Sequence, residues 1–187
     1  MKTYLSIDLD YWNGLRRRSI DIFFKHVFQL GLPIWVAPFH DQLLPHINQH
    51  DCDTLINVDY HSDISDYEPR RLPLTGGTWA NFVKWKKHGT FIWRYPQAEC
   101  LSHDGGYCHL HKNPFKNAAC ARWGECLNRA GLRGIPWHTV KAVGVSLSAF
   151  WINRRNNPLL PITRVLGIDH WLKWDWIKQR TLAEPFL

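Results

Sequence analysis

Two apolar runs in this chain end in paired aspartates, and that placement limits the folds open to it. Leu55-Ile56-Asn57-Val58 leads into Asp59-Tyr60-His61-Ser62-Asp63, and Tyr4-Leu5-Ser6-Ile7 leads into Asp8-Leu9-Asp10. Side chains alternate along an extended strand, so Asp59, His61 and Asp63 share one face if the backbone stays extended there. Asp8 and Asp10 repeat the spacing. Carboxylates in that density cannot join an apolar core. They belong where a strand runs out of one.

The surrounding pattern says which kind of sheet supplies those strand ends. Residues 3–7, 34–37, 54–58, 91–93 and 141–150 read as short buried strands. Between them, residues 15–30 carry Ile20, Phe23, Phe24, Val27 and Phe28 at helical spacing, with Gly31 and Pro33 as stop signals. Further helices are expected from Leu43, from a Thr78 cap through Trp85 to a stop at Gly89, over 118–130, and over the Trp-rich stretch 162–182. Strands alternating with helices predict an α/β fold of three layers, α-β-α, with a mainly parallel sheet. Residues 96–136 read as an irregular, loop-rich insertion apart from the helix at 118–130. With no linker or repeat in view, residues 1–187 are expected to form a single domain. In such sheets ligands lie beyond the carboxyl ends of the strands. Asp8, His40 and Asp59 all fall there.

Composition narrows the function classes. At 45% hydrophobic and 21% charged residues, the chain resembles an ordinary soluble globular protein. Its net charge of +7 would suit anionic partners, but the basic residues form short clusters such as Arg16-Arg17-Arg18, Arg70-Arg71 and Arg154-Arg155. Those read as solvated faces, and nucleic acid is not the expected partner. No apolar run reaches the roughly 18–20 residues of a membrane span, and no signal-peptide pattern opens the chain, so a cytoplasmic protein without a membrane partner is expected. Five cysteines, an odd number, favour reduced thiols. Cys100, Cys108, Cys120 and Cys126, with His103, His109 and His111 nearby, match no compact zinc spacing.

The carboxylates imply cations. Asp8, Asp10, Asp59 and Asp63 at one sheet edge would repel one another, and leaving each charge unpaired in a partly buried site costs several kcal/mol, roughly. Two divalent ions neutralise four carboxylates; one leaves a net charge of −2. Oxygen-rich sites with some imidazole suit Mn2+ first and Fe2+ next, whereas zinc more often brings cysteines or three histidines. Two such ions ~3.5–4 Å apart can share and acidify a water, so hydrolysis is the expected reaction class.

These residues resemble the ureohydrolases, the arginase and agmatinase group. Asp59-Tyr60-His61-Ser62-Asp63 is similar to that family's Asp-x-His-x-Asp signature, and Ser6-Ile7-Asp8-Leu9-Asp10 to its Ser-x-Asp-x-Asp signature. His40, at the end of the preceding strand, stands where the family places its remaining histidine ligand. The resemblance implies a dinuclear manganese centre in which Asp8 and Asp59 bridge the ions and hold a metal-bridging hydroxide. His40 and Asp63 would complete one ion, and His61 and Asp10 the other. The two signatures occur in reversed order here, which implies an arginase-like sheet in permuted or reduced form.

The chain departs from the family after Asp63, where no match to the proton-shuttling histidine is found. Trp79 lies about where it would be expected, and Ser65 stands in for a polar residue that contacts the substrate carboxylate. In this the chain resembles the small peptide arginases, which convert arginine side chains in ribosomally made precursor peptides to ornithine. The resemblance implies an arginine-containing precursor peptide as substrate and urea as co-product. A further carboxylate must hold the guanidinium, with Asp41, Asp66 and Asp104 as candidates. Two alternatives stay open. One is a small-molecule ureohydrolase or amidohydrolase acting on arginine, agmatine or an acetylated amine. The other is a basic, metal-stabilised binding module with no turnover.

Overall fold

The computed structural model describes residues 1–12, 17–64, 73–84, 89–96, 125–148 and 184–186. Its framework is a seven-stranded sheet of β1 (Thr3–Asp8), β2 (Ile34–Ala37), β3 (Thr54–Val58), β4 (Thr90–Tyr95), β5 (Glu125–Ala130), β6 (Val140–Ser146) and β7 (Glu184–Phe186). The order across the sheet is β5-β4-β3-β1-β6-β2-β7. Every neighbouring pair is parallel except β2 and β7. The fold is therefore α/β with a predominantly parallel sheet.

Helix α1 (Arg17–Gln29) follows β1, and α2 (Leu44–Gln49) follows β2. The chain leaves β1 toward β2 on one side and then crosses back to β3 on the other. Right-handed crossovers in opposite directions put the two helices on opposite faces. On one face Leu5, Ile7, Ile56, Val143 and Val145 pack against Ile20, Phe23, Phe24 and Val27 of α1. On the other, Tyr4, Leu55, Phe91, Trp93 and Ala142 pack against Leu43, Leu44 and Ile47. Each buried Val, Leu, Ile or Phe side chain among these contributes roughly 1.5–3 kcal/mol of transfer free energy.

Along the α2 face, three adjacent strands change character in step. Tyr4 gives way to Ser6 and Asp8, Leu55 to Asn57 and Asp59, and Ala142 to Gly144, Ser146 and Ser148. Parallel register aligns the change, with Ser6 opposite Asn57 and Gly144, and Asp8 opposite Ser146. The polar ends thus gather at the carboxyl edge beside β1, where the strand order reverses and α/β sheets characteristically bind ligands.

Several expectations need correction. The helix expected over 118–130 is, in its described part, strand β5, paired with β4 from Thr90↔Glu125 to Tyr95↔Ala130. Without it β4 would present an open edge of unpaired backbone groups, and that tertiary demand overrides a weak local helix preference. Residues 97–124 lie outside the described residues, and with them Cys100, Cys108 and Cys120. Thr78 caps no helix: its hydroxyl turns back to donate to Pro73 O at 2.6 Å, and a short 3-10 turn, Trp79–Phe82, follows. Strand β6 ends at Ser146 rather than at 150, because Ser148 takes a left-handed conformation (φ 41°). Strand β7 was not anticipated, and the expected helix over 162–182 lies outside the described residues. Among the described residues no helix is long and apolar enough to cross a membrane.

Candidate metal centre

Asp8 is the last residue of β1, and Asp10 lies in the 3-10 turn Leu9–Trp12 that continues it. The turn is held by the Asp10 N–H, which donates to Asp8 Oδ1 at 3.0 Å. From β2, two residues, Pro38 and Phe39, carry the chain to His40, the first residue of the 3-10 turn His40–Leu43. Asp59 follows directly on β3, its N–H donating to Arg94 O at 3.0 Å and its carbonyl accepting from Trp93 Nε1 at 3.0 Å.

Beyond Asp59 the backbone is not extended, contrary to the alternation argument. Asp59 Oδ1 accepts the His61 N–H at 2.8 Å, folding the chain into a turn, and Asp63 is left-handed (φ 54°). Aspartate favours both features, because its short carboxylate can bond the backbone two residues on and tolerates positive φ. Asp59, His61 and Asp63 still converge, but by curvature rather than by sharing a strand face.

Two groups of ligand atoms result. Asp8, His40 and Asp59 each offer one atom within 4.8 Å of the others, and so do Asp10, Asp59 and His61. Asp59 belongs to both. His40 Nδ1 lies 3.0 Å from Asp59 Oδ2, 3.1 Å from Asp63 Oδ2 and 3.2 Å from Asp8 Oδ2. It makes a hydrogen bond to none of them. His61 Nδ1 lies 3.4 Å from Asp10 Oδ2.

Those distances fit a cation. Ligands about 2.1–2.2 Å from one ion and at right angles stand roughly 3 Å apart. A buried imidazole nitrogen ringed by carboxylate oxygens at that separation, with no hydrogen bond, has the geometry of a coordination edge. His40 Nε2 is 2.6 Å from Ser6 Oγ. When Nε2–H donates to that hydroxyl, Nδ1 turns its lone pair to the carboxylates, the tautomer a cation requires. These buried Asp and His groups can therefore hold a metal ion.

The electrostatics agree. Burial, then repulsion from Asp63 and Asp8, pushes the Asp59 carboxyl well above the usual range, and burial with repulsion from Asp8 and Asp59 does the same to Asp10. Burial would also raise Asp8, but the adjacent His40 imidazole and a hydrogen bond from Ser148 outweigh it and lower its pKa. His40, which burial would keep neutral, is carried well up by Asp59, Asp63 and Asp8. In His61 burial is likewise outweighed, by Asp10 and Asp59, and its pKa rises to about 9. Protons crowd the cluster where positive charge is needed, and divalent ions would displace them.

Supporting residues hold the ligands from behind. The Ser148 hydroxyl donates to Asp8 Oδ2 and lies 3.0 Å from Ser146 Oγ. Asn57 Nδ2 donates to Asp59 Oδ2 at 3.1 Å. Sequence reasoning gave Asn57 no role; its signal was a polar residue inside a fully buried strand. Ser146 and Ser148 repeat the spacing of Asp8 and Asp10, and β6, which carries them to the site, pairs directly with β1.

Trp79 was expected at a substrate-contacting position. It is instead fully buried, stacked on His40 with ring centres 4.4 Å apart, and its Nε1 donates to Asp63 Oδ2 at 2.5 Å. Trp79 thus holds the His40 ring and the Asp63 carboxylate in place. Asp41 is half-buried in the His40 turn, where its carbonyl accepts from Leu44, and it belongs to neither ligand group. Ser65, Asp66 and Asp104 lie outside the described residues. No protein-family model, curated protein or solved structure matches this chain.

Proposed function

We propose that the protein is a dinuclear metallohydrolase of ureohydrolase type, with Mn2+ as its preferred ion. The proposed reaction adds water to the guanidinium carbon of an arginine side chain in a precursor peptide, leaving ornithine and releasing urea. The observation that carries this reading is the sharing of Asp59 between two ligand groups, each built from two carboxylates and one imidazole. An oxygen-rich set with a single imidazole per ion suits Mn2+, and Fe2+ next, better than zinc. A likeness to a permuted or reduced arginase sheet belongs to the same proposal and rests on the two signatures and His40.

A pair of divalent ions held there supplies Lewis acidity and an acidified water. The protein's own residues arrange the rest. Asp59 groups with each imidazole in turn, while Asp8 stands beside His40 and Asp10 beside His61. Ser6 and Trp79 fix the His40 ring from its far edge and its face. The His40 side chain is 1% exposed and the His61 side chain 45%, so a substrate reaches the cluster from the His61 side.

The test is metal analysis of the purified protein together with urea release. Two ions per chain, and urea formed from arginine-containing peptides with the matching loss of CH2N2 from the peptide, are expected. Turnover of free arginine, agmatine or acetylated amines instead would move the substrate assignment to a small molecule. A fully metal-loaded protein that releases urea from none of these sinks the ureohydrolase reading.

A further inference from the structure

A second cluster of imidazoles lies on the same sheet face, toward the amino-terminal end of β1. His46 is in α2 and His50 follows its last residue, one turn further on. Their Nε2 atoms are 3.1 Å apart. Tyr4, four residues before Asp8, places its hydroxyl 2.7 Å from His46 Nδ1. Four strand residues span about 13 Å, so this cluster is separate from the carboxylate centre.

We propose that His46 and His50 form a second metal site, for a late first-row divalent ion of the Zn2+, Ni2+ or Cu2+ class. Two imidazole nitrogens each about 2.0–2.1 Å from one ion stand roughly 2.9–3.4 Å apart, according to whether the geometry is octahedral or tetrahedral. The observed 3.1 Å falls within that interval. The ring centres are only 4.6 Å apart, with the planes at 74°. A straight N–H···N hydrogen bond at the same nitrogen separation would hold the rings further apart, so the ring axes do not run along the N···N line.

The surroundings prepare both rings to act as ligands. A ligating histidine nearly always donates its other N–H to a fixed acceptor. In the tautomer where His46 Nδ1–H donates to the buried Tyr4 hydroxyl, Nε2 carries its lone pair toward His50. Trp35 stacks on the His46 ring with centres 4.6 Å apart and planes at 13°, fixing its orientation. Burial, then the neighbouring His50, lowers the His46 pKa to about 4, so the ring is neutral near pH 7.

Among the described residues no carboxylate or thiol completes a three-ligand group here. The donors are two neutral imidazoles, with water or an external ligand left to fill the shell. That set favours Cu2+, Ni2+ and Zn2+ over Mn2+ and Mg2+, the reverse of the oxygen-rich centre at Asp59. Occupancy would clamp the end of α2, the helix that begins four residues after His40. This proposal does not depend on the hydrolase reading.

The test uses the full chain saturated with Mn2+ and titrated with Zn2+ by calorimetry. One further Zn2+ per chain is expected, weakened at least tenfold by His50→Gln and roughly 10–100-fold by Tyr4→Phe, which removes the hydroxyl that holds His46 Nδ1. Asp59→Asn, which disables the carboxylate centre, should leave this Zn2+ in place. Equal Zn2+ uptake by the parent and His50→Gln, or Zn2+ lost with Asp59→Asn while His50→Gln retains it, would overturn the proposal. Cu2+ electron paramagnetic resonance on the unmutated chain gives a readout free of folding effects. Two equatorial nitrogens support the site, and none refutes it.

Discussion

His40 Nδ1 stands 3.0 Å from Asp59 Oδ2 and makes no hydrogen bond to it. Both groups are fully buried, and both would lose stability as unpaired charges. Their proximity is intelligible if a cation sits between them. Asp59→Asn removes the carboxylate common to both ligand groups, so it should abolish binding of both ions and reduce urea release to background. His61→Asn touches only one group and should leave one ion. Metal content after dialysis separates the two outcomes; equal loss from both variants would contradict the shared role of Asp59.

Ser6 acts on the centre through His40. Ser6→Ala removes the hydroxyl at His40 Nε2, and losing such a partner behind a metal-binding histidine typically weakens metal binding by about 10–100-fold. A chelator competition assay reads this directly, while Ser6→Thr, which keeps the hydroxyl, should stay nearer the parent.

Trp79 contributes both packing and a hydrogen bond. Trp79→Phe keeps much of the ring stacked on His40 but leaves Asp63 without its donor, an expected cost of roughly 1–3 kcal/mol. Trp79→Ala adds a cavity and should cost about 3–5 kcal/mol. Urea denaturation with chelator present isolates these effects from metal binding; a Trp79→Ala change near zero would mean the indole is not part of the core.

The pH dependence should reverse when metal is removed. In the chelated protein, Asp10, Asp59, His40 and His61 have raised pKa values, so the folded state binds more protons than the unfolded state. Stability then falls as pH rises. For His61, the contribution is present below 6.5 and is lost as pH climbs through about 9. With metal bound those protons are displaced, and metal affinity should instead strengthen with rising pH. Melting curves across this window, with and without chelator, check both signs.

Gly144 marks where β6 passes beneath Tyr4. A Cβ there would lie 2.5 Å from the Tyr4 hydroxyl and 3.2 Å from Leu43. Gly144→Ala should destabilise the fold by about 1–3 kcal/mol, the usual scale for overpacking. Since it displaces Tyr4, it should also weaken Zn2+ at His46 and His50 while sparing Mn2+ at Asp59. A folded variant with both affinities unchanged would contradict the packing at Tyr4.

Strand ends and ligand types were legible in the sequence because both are local. The apolar runs at Leu5, Ile34 and Leu55 mark buried strands, and the aspartates after them can neither extend a core nor stay together without cations. Periodicity likewise located α1. Other features were decided only by the tertiary structure, because they depend on partners distant in the chain. Strand β5 exists because β4 needs a neighbour, whatever residues 125–130 would prefer alone. The Asp59–Asp63 segment turns because the Asp59 carboxylate bonds the His61 backbone, so the convergence expected from strand alternation arises from a bend. Trp79 became a support for His40 and Asp63 only when a turn following β3 folded it beneath them. Asp59 could be recognised as an acidic residue at a strand end from the sequence alone. That it is common to two ligand groups follows from the sheet: parallel pairing of β1 with β3 sets Asp8 and Asp10 beside it, and the turn after β2 brings His40 to the same edge.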